Sequence, residues 1–466
     1  MAAPPPLAIR GQVASCRGKA ARCGGHGRVE KALMNAHAPR YRTLDMPGIL
    51  ALLSGLPDIA ARLGGDGAQW TICEVSDGNL NNVFVVDGPH GGVCVKQSLP
   101  YVRVDPSWKM PLDRTFFEAS YLRDIHPLVP GLTTRCLHFD PDLFVLVVES
   151  LSGHTVYRTA LMAGAQWPRV VPDIATFVAR ATFGTSVLCA PFEHVFERQA
   201  VYARNTTLRR ITLDLVLDDP YHDHPRNHWD DRRLDDVVGR IRASCTVRRV
   251  VDGLRLRFLT CPQALLHGDL HTGSIMATAT DTRVIDGEFA IYGPIGFDCG
   301  MFVGNLVLRR FADPSPDAGR ACVHDIHRFW NGFVAEFTRQ WATAHPTPSD
   351  PSGPCAFFLP DAADASSRGE RTPGPSQDPL QDLPPGRAAF LRAVFEDMVG
   401  YAATEIIRRI IGYAHTADFD VIPTHEARTV RRRAALVFAY GLLCHHGTHD
   451  GVNAAFGALA GQGEVE

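Results

Sequence analysis

Lysine is almost missing from this sequence. Of 47 lysine and arginine residues only four are lysines (Lys19, Lys31, Lys96 and Lys109), so a lysine inside a strand stands out. The twelve cysteines contain no Cys-x-x-Cys pair. A chain of 466 residues buries enough core to fold without disulfides, and scattered thiols point to a reducing, cytoplasmic setting. Apolar runs stop short of the ~18–20 residues of a transmembrane helix, so no membrane partner is expected. A strong net charge is lacking too. The value of −3 at pH 7 gives no global attraction for nucleic acid or acidic lipid, so any phosphate-binding site has to be local. No internal repeat is visible.

What is present divides by composition. Residues 1–40 are rich in Ala, Gly, Pro and Arg, and Glu30 is the only acid before Met34. That basic, acid-poor flavour is shared with transit peptides, but the serine-rich amphipathic character is absent and Met34 offers an alternative start. A disordered N-terminal extension is expected. Residues 41–150 read as a small β-rich lobe with one helix. Its strands flank the turn SDGNLNN and a second turn, DGPHGG, before VCVK. The helix is LDRTFFEASYLRD at 112–124, and DLFVLVVESLSG at 142–153 is a buried strand leading to a linker. Residues 151–466 are mainly helical, with a Pro-, Ser-, Asp- and Gly-rich disordered insertion at 345–387 and helical periodicity from Phe390. The fold class is therefore α+β in two lobes, the N-terminal one β-rich and the larger C-terminal one mainly helical.

The stretch 265–298, LLHGDLHTGSIMATATDTRVIDGEFAIYGPIGFD, carries the chemistry. Among its carboxylates, Asp269, Asp286, Glu288 and Asp298 would repel one another unless cations sit among them. A β lobe followed by His-x-Asp, then a second Asp after a hairpin, is the layout of ATP-dependent phosphoryl transfer. Asp269 fits the base that orients and deprotonates an attacking hydroxyl. Asp286 and Glu288, read as i and i+2 at a strand end, would face one side and bind Mg²⁺. Asp298 is expected to accept backbone N–H bonds and hold the loop. Lys96, on a strand and followed by a helix bearing Glu118, would contact the phosphates. Taken singly, each has a plainer reading: a capping aspartate, a solvated strand edge, a snorkelling lysine. Their order along the chain favours the catalytic one. Asn79, in the turn from Ser76 to Asn82, would lie over the nucleotide, and Glu149 and Ser150 would meet adenine at the hinge.

The stretches EVSDGNLNNVF, GGVCVKQSLPYVR, LDRTFFEA, RITLDLVLDDPY, HGDLHTGSI, the D-x-EFA-x-YGP-x-GFD block and EIIRRIIGYAHTADFD resemble the 5-methylthioribose kinases. These are small-molecule kinases of the protein-kinase-like fold, related to the aminoglycoside and choline phosphotransferases. Ser274 sharpens the resemblance, because those relatives carry a metal-binding asparagine there. The resemblance implies ATP, Mg²⁺, a sugar substrate phosphorylated at its anomeric 1-hydroxyl in methionine salvage, and a homodimer. It makes Asp269 the catalytic and substrate-binding base, and Asp286 and Glu288 the metal ligands. Lys96, Glu118, Asn79, Glu149 and Ser150 fall at the nucleotide, and Arg408, Arg409 and Trp108 at the sugar. The twin arginines also stand out physically, since cations flanked by apolar pairs in IIRRII face protein and need anionic partners. A salt bridge to a carboxylate is the alternative for them, and a core or surface position the alternative for Trp108.

The motif usually reads Asp-Pro-Glu, and glycine at 287 is expected to loosen it. The histidines of CHHGTHDG and of DDPYHDHPRNHWDD are read as exposed rather than metal-binding, the latter loop near the cleft. Two other functions stay open: a kinase of the same fold for another small hydroxyl substrate, and a nucleotide-binding scaffold without turnover. The twin arginines disfavour a cationic acceptor such as choline.

Overall fold

The computed structural model describes residues 41–75, 80–103, 105–313, 315–344 and 378–461. The N-terminal extension, Asn79 and most of the 345–387 insertion lie outside them.

Strands β1 (Thr71–Val75), β2 (Asn81–Gly88), β3 (Gly91–Ser98), β6 (Cys136–Asp140) and β7 (Val145–Glu149) form one antiparallel sheet in the order β1-β2-β3-β7-β6. A separate ribbon pairs β4 (Tyr101–Val102) with β5 (Asp105–Lys109). Alternation along β3 and β7 sends Val93, Val95, Val145 and Val147 to one face and Cys94, Leu146 and Val148 to the other. The second face receives the helix Arg114–Ile125 through Ala119 and Leu122. Lys96 shares that face, which points it at the helix.

The first face is covered by two helices, Met46–Ser54 and Pro57–Leu63, where the sequence had suggested a lobe with a single helix. Ile49, Leu53, Ile59 and Leu63 pack there against Trp70, Phe84 and the valines. Both helices are too short for a periodicity window to register. Their punctuation was legible: the Asp45 carboxylate accepts from Gly48 N–H at 2.9 Å, and a proline lies in the first turn of each.

In the helical lobe, short strands frame the motif stretch. β9 (Ala264–Leu266) pairs with β12 (Ile291–Gly293), while β10 (Ile275–Ala277) pairs with both β8 (Thr155–Val156) and β11 (Thr282–Val284). The loops 267–274 and 285–290 thus emerge side by side. Two long helices lie behind them, Gly296–Ala312 and Pro385–Ile411. Gly296, Gly300 and Gly304 form a stripe on the first of these. A Cβ on them would fall 2.4, 2.6 and 2.9 Å from atoms of Asp397, Tyr401 and Ala402, so only glycine permits this approach. The second helix starts at Pro385, five residues ahead of Phe390, because proline is well suited to a first helical position. Among the described residues no single helix is long and apolar enough to cross a membrane.

Candidate active site

The loop after β9 is held from below by Asp298. As expected, its carboxylate accepts the N–H groups of His267 (2.7 Å) and Gly268 (3.0 Å). His267 Nε2 meets the Ile285 carbonyl at 2.7 Å, tying the two loops together. A carbonyl only accepts, so this nitrogen carries the hydrogen, and Nδ1 is free to accept from Asp269 N–H at 3.3 Å.

Asp269 stands at the loop tip with its side chain 26% exposed. Arg408 donates to its Oδ1 at 3.1 Å, Arg409 lies 4.0 Å from the same oxygen, and His271 Nε2 lies 3.4 Å from Oδ2. Burial alone would raise the Asp269 carboxyl; His271 and the two guanidiniums outweigh it and hold the group well below the usual carboxylate range. Burial lowers His271 itself, against the opposing pull of Asp269.

The arginine pair makes the carboxylate salt bridge offered as the alternative in the sequence reading, and it also reaches Asp269. Glu405, fully buried one turn earlier, accepts from Arg409 Nε at 2.8 Å, from Arg408 Nε, and from Asn305 Nδ2 at 2.9 Å. Burial would raise Glu405, yet Arg408 and Arg409 hold it at about 2. The salt bridge therefore aims the arginines, and their far ends reach Asp269. Two carboxylates balance two guanidiniums here, so repulsion of a cationic acceptor is weaker than IIRRII alone suggested.

On the facing lobe Lys96 bonds Glu118 at 2.7 Å and also bonds Asp286. The turn carrying Asp286 and Glu288 departs from the strand-end expectation. β11 stops at Val284, Asp286 adopts a left-handed backbone (φ 64°), and Gly287–Phe289 form a single 3₁₀ turn. Aspartate tolerates that region better than most residues. Glu288 consequently turns toward the β lobe, where Asn81 Nδ2 donates to it at 3.0 Å and Arg114 Nε lies 3.5 Å away. Lys96 and Arg114 thus face Glu118, Asp286 and Glu288, two cations against three carboxylates. The surplus shows in Glu118, which burial, with Asp286 and Glu288 adding to it, pushes up to about 7 against the pull of Lys96.

Among the described residues no three His, Cys, Asp or Glu side chains gather into a metal cage. Magnesium does not need one: it keeps waters and takes one or two carboxylates plus phosphate oxygens. The pair Asp286 and Glu288, with one uncompensated negative charge around them, fits that requirement.

Trp108, on β5, meets Tyr413 edge-on at 5.3 Å and lines a cavity of about 510 Å³ with Thr207, Arg210, Ile211 and Arg226. The last of these brings the histidine-rich loop to the same cavity. Glu149 turns its carboxylate to Arg135 (3.0 Å) and Arg62 (3.7 Å), and its N–H goes to the Arg135 carbonyl. Ser150 packs against Gly92. Four participants were missed in the sequence: Asn81, Arg114, Glu405 and Arg158. Arg158 bonds Thr272 at 3.1 Å and Asn305 at 2.8 Å, bracing the catalytic loop against the glycine helix. Arg114 left a signal, since a cation in the first turn of a helix opposes the dipole and calls for a local anion.

A lysine–glutamate pair over a His-x-Asp loop and an Asp-x-Glu turn, between a β lobe and a helical lobe, defines a phosphotransferase of the two-lobed α+β kind. The model of the phosphotransferase enzyme family (APH) matches residues 71–341. The chain is 34% identical over 413 residues to methylthioribose kinase 1 of Oryza sativa subsp. japonica, covering 86% of this chain and 91% of that one. It is 33% identical over 417 residues to methylthioribose kinase of Escherichia coli O45:K1, covering 86% and 94%. To the Pectobacterium carotovorum methylthioribose kinase it is 36% identical over 394 residues, covering 81% and 90%. Among solved structures, choline kinase from Cryptosporidium parvum superposes with a TM-score of 0.42 at 11% identity, over 84% of this chain and 95% of that one. The chain belongs to the methylthioribose kinases within the phosphotransferase family.

Proposed function

We propose that the protein transfers the γ-phosphoryl group of ATP to the anomeric 1-hydroxyl of 5-methylthioribose, giving 5-methylthioribose 1-phosphate and ADP in methionine salvage. The observation that carries this reading is the meeting of Arg408 with Asp269 at 3.1 Å, which joins the IIRRII helix to the HGDLHTGS loop at one point. Asp269 accepts the hydroxyl proton. Arg408 and Arg409 grip sugar hydroxyls and the incoming phosphoryl oxygens. Lys96, aimed by Glu118, takes the nucleotide phosphates, Asn79 is assigned to the nucleotide from the sequence alone, and the Glu149 and Ser150 backbone meets adenine. Asp286 and Glu288 would hold Mg²⁺, which when bound neutralises phosphate charge. Trp108 covers the sugar from the β4–β5 ribbon. A homodimer and a cytoplasmic location belong to the same reading, the first from the family resemblance and the second from the scattered cysteines without a Cys-x-x-Cys pair.

The test is coupled ADP release from purified protein with Mg-ATP and 5-methylthioribose, with ribose and choline in parallel. Turnover confined to methylthioribose is expected. Faster turnover on choline, or nucleotide binding without turnover on any acceptor, would overturn the assignment.

A further inference from the structure

His271 lies two residues past the catalytic aspartate and has so far served only as a neighbour. Its ring is 16% exposed and lies flat on Gly273, where a Cβ would fall 2.8 Å from Cε1 and 3.0 Å from Nδ1. Two groups meet Nδ1: the Gly273 N–H at 3.0 Å and the Ser274 hydroxyl at 3.1 Å. A backbone N–H can only donate, so Nδ1 is an acceptor and the hydrogen of the uncharged ring sits on Nε2. Nε2 is the atom that points at Asp269 Oδ2, 3.4 Å away. Ser274 Oγ donates to the Asp269 carbonyl at 3.0 Å; its single hydrogen cannot serve Nδ1 as well, so the Gly273 N–H is what fixes the tautomer and the serine holds the backbone of the base.

The two oxygens of Asp269 are therefore held unequally. Oδ1 takes a charged donor, Arg408, at 3.1 Å, with Arg409 beyond it at 4.0 Å. Oδ2 faces a neutral donor at the longer distance of 3.4 Å. A charged, shorter hydrogen bond drains basicity more than a neutral, longer one. The other charged groups facing this pair are Arg158 and Asp286 from the side and Asp298 from below. Among the described residues none of them hydrogen-bonds Oδ2.

We propose that His271 is a positioning residue for the transfer: as the Nε2–H tautomer it orients the Asp269 carboxylate so that Oδ2, and not Oδ1, takes the proton. Resting on the kinase reading, the step is then specified. The acceptor O–H bond breaks with its proton going to Oδ2, the acceptor oxygen bonds the γ-phosphorus, and the bond to the β–γ bridging oxygen breaks to release ADP. Ser274 holds the loop backbone through the Asp269 carbonyl, while the Gly273 N–H sets the tautomer.

Two measurements test this. The first reads the tautomer without any substrate: ¹⁵N shifts of histidine-labelled full-length protein, with the His271 signals assigned by their loss in His271→Gln. An Nε2–H pattern is expected, and an Nδ1–H pattern overturns the proposal. The second compares His271→Ala with His271→Gln, whose amide can return an N–H toward Oδ2. In the alanine variant kcat should drop roughly ten- to hundredfold with KM for ATP unchanged. The acid limb of kcat/KM should also move to higher pH, because Asp269 loses a donor to its ionised form. The glutamine variant should recover most of kcat and return the limb. An alanine variant with unaltered kcat and acid limb overturns the proposal, as does a loss that glutamine fails to recover although the variant melts like wild type. If the alanine variant does not fold, the glutamine variant's acid limb and the tautomer measurement decide. Should the protein phosphorylate a different acceptor, only the name of the sugar changes; a failed tautomer measurement refutes this proposal alone.

Discussion

Replacing Gly287 by alanine should damage this protein far more than a single methyl suggests. The sequence reading expected glycine to slacken the Asp-x-Glu turn, yet position 287 is tightly confined. An added Cβ would lie 2.4 Å from Cδ1 and 3.0 Å from Cε1 of Tyr121. Tyr121 is only 2% exposed and stands edge-on to His267 at 5.7 Å, so its ring has little room to retreat. Overpacking of this kind costs about 1–3 kcal/mol. The strain has two outlets. If the ring yields, it presses on His267, whose bond to the Ile285 carbonyl joins the two catalytic loops. If the turn yields, Asp286 leaves Lys96 and Glu288 leaves Asn81. Either way the thermal midpoint should fall, and the Mg²⁺ concentration for half-maximal turnover should rise. Tyr121→Leu alone opens a cavity and costs on the order of 2 kcal/mol. In the double variant the new methyl occupies space the ring vacated, so the two losses should fall short of their sum by about 1–2 kcal/mol. An alanine at 287 with unchanged melting and Mg²⁺ dependence, or strictly additive losses, would refute the reasoning. A proline at 287 would carry its Cβ into the same ring.

Asp269→Asn should leave nucleotide affinity intact and lower kcat by roughly 10²–10⁴-fold, the span of a lost general base; a near wild-type rate in single-turnover assays would remove Asp269 from that role. Arg408→Ala should depress kcat and sugar affinity more than melting temperature, since Arg409 still pairs with Glu405; loss of folding without a kinetic effect in the folded fraction would leave Arg408 purely structural. For Glu405, the shift from 4.5 to about 2 corresponds to about 3 kcal/mol of stability. Because the folded pKa is depressed, that stability is present above pH 4.5 and lost as pH falls toward 2. The melting advantage of wild type over Glu405→Gln should therefore shrink across that window, and a constant gap would contradict the buried ion pair.

Motifs read along one short span were legible, because backbone chemistry alone places them. His267, Asp269, Asp286, Glu288 and Asp298 lie within one strand–loop–strand stretch, and Lys96 declared itself as a rare lysine in an alternating strand. Partners distant in sequence were not legible. Asn81 reaches Glu288 across 207 positions, and Arg158 reaches Asn305 across 147, so no local period links them. Glu405 failed for another reason. It sat within the quoted EIIRRII, but a lone glutamate one turn before two arginines reads as a surface i,i+4 pair. Only the glycine stripe of the opposing helix buries it. The Asp286 turn was misread because strand alternation was extended two residues past Val284, where the left-handed aspartate ends it.

Charge balance around the proposed roles explains why a neutral sugar suits the arginine side. Glu405 and Asp269 together cancel Arg408 and Arg409, so an uncharged acceptor enters a neutral pocket and is selected by hydrogen bonds, which discriminate well when buried donors would otherwise go unpaired. The balance changes during the reaction. Once Asp269 takes the hydroxyl proton, the arginines hold one uncompensated positive charge, at the moment a charged phosphoryl group arrives on the sugar. Arg408, released from an ionised Oδ1, then has that group as its strongest available partner. The attraction exists in the transition state and not in the ground state, and that difference is what lowers a barrier.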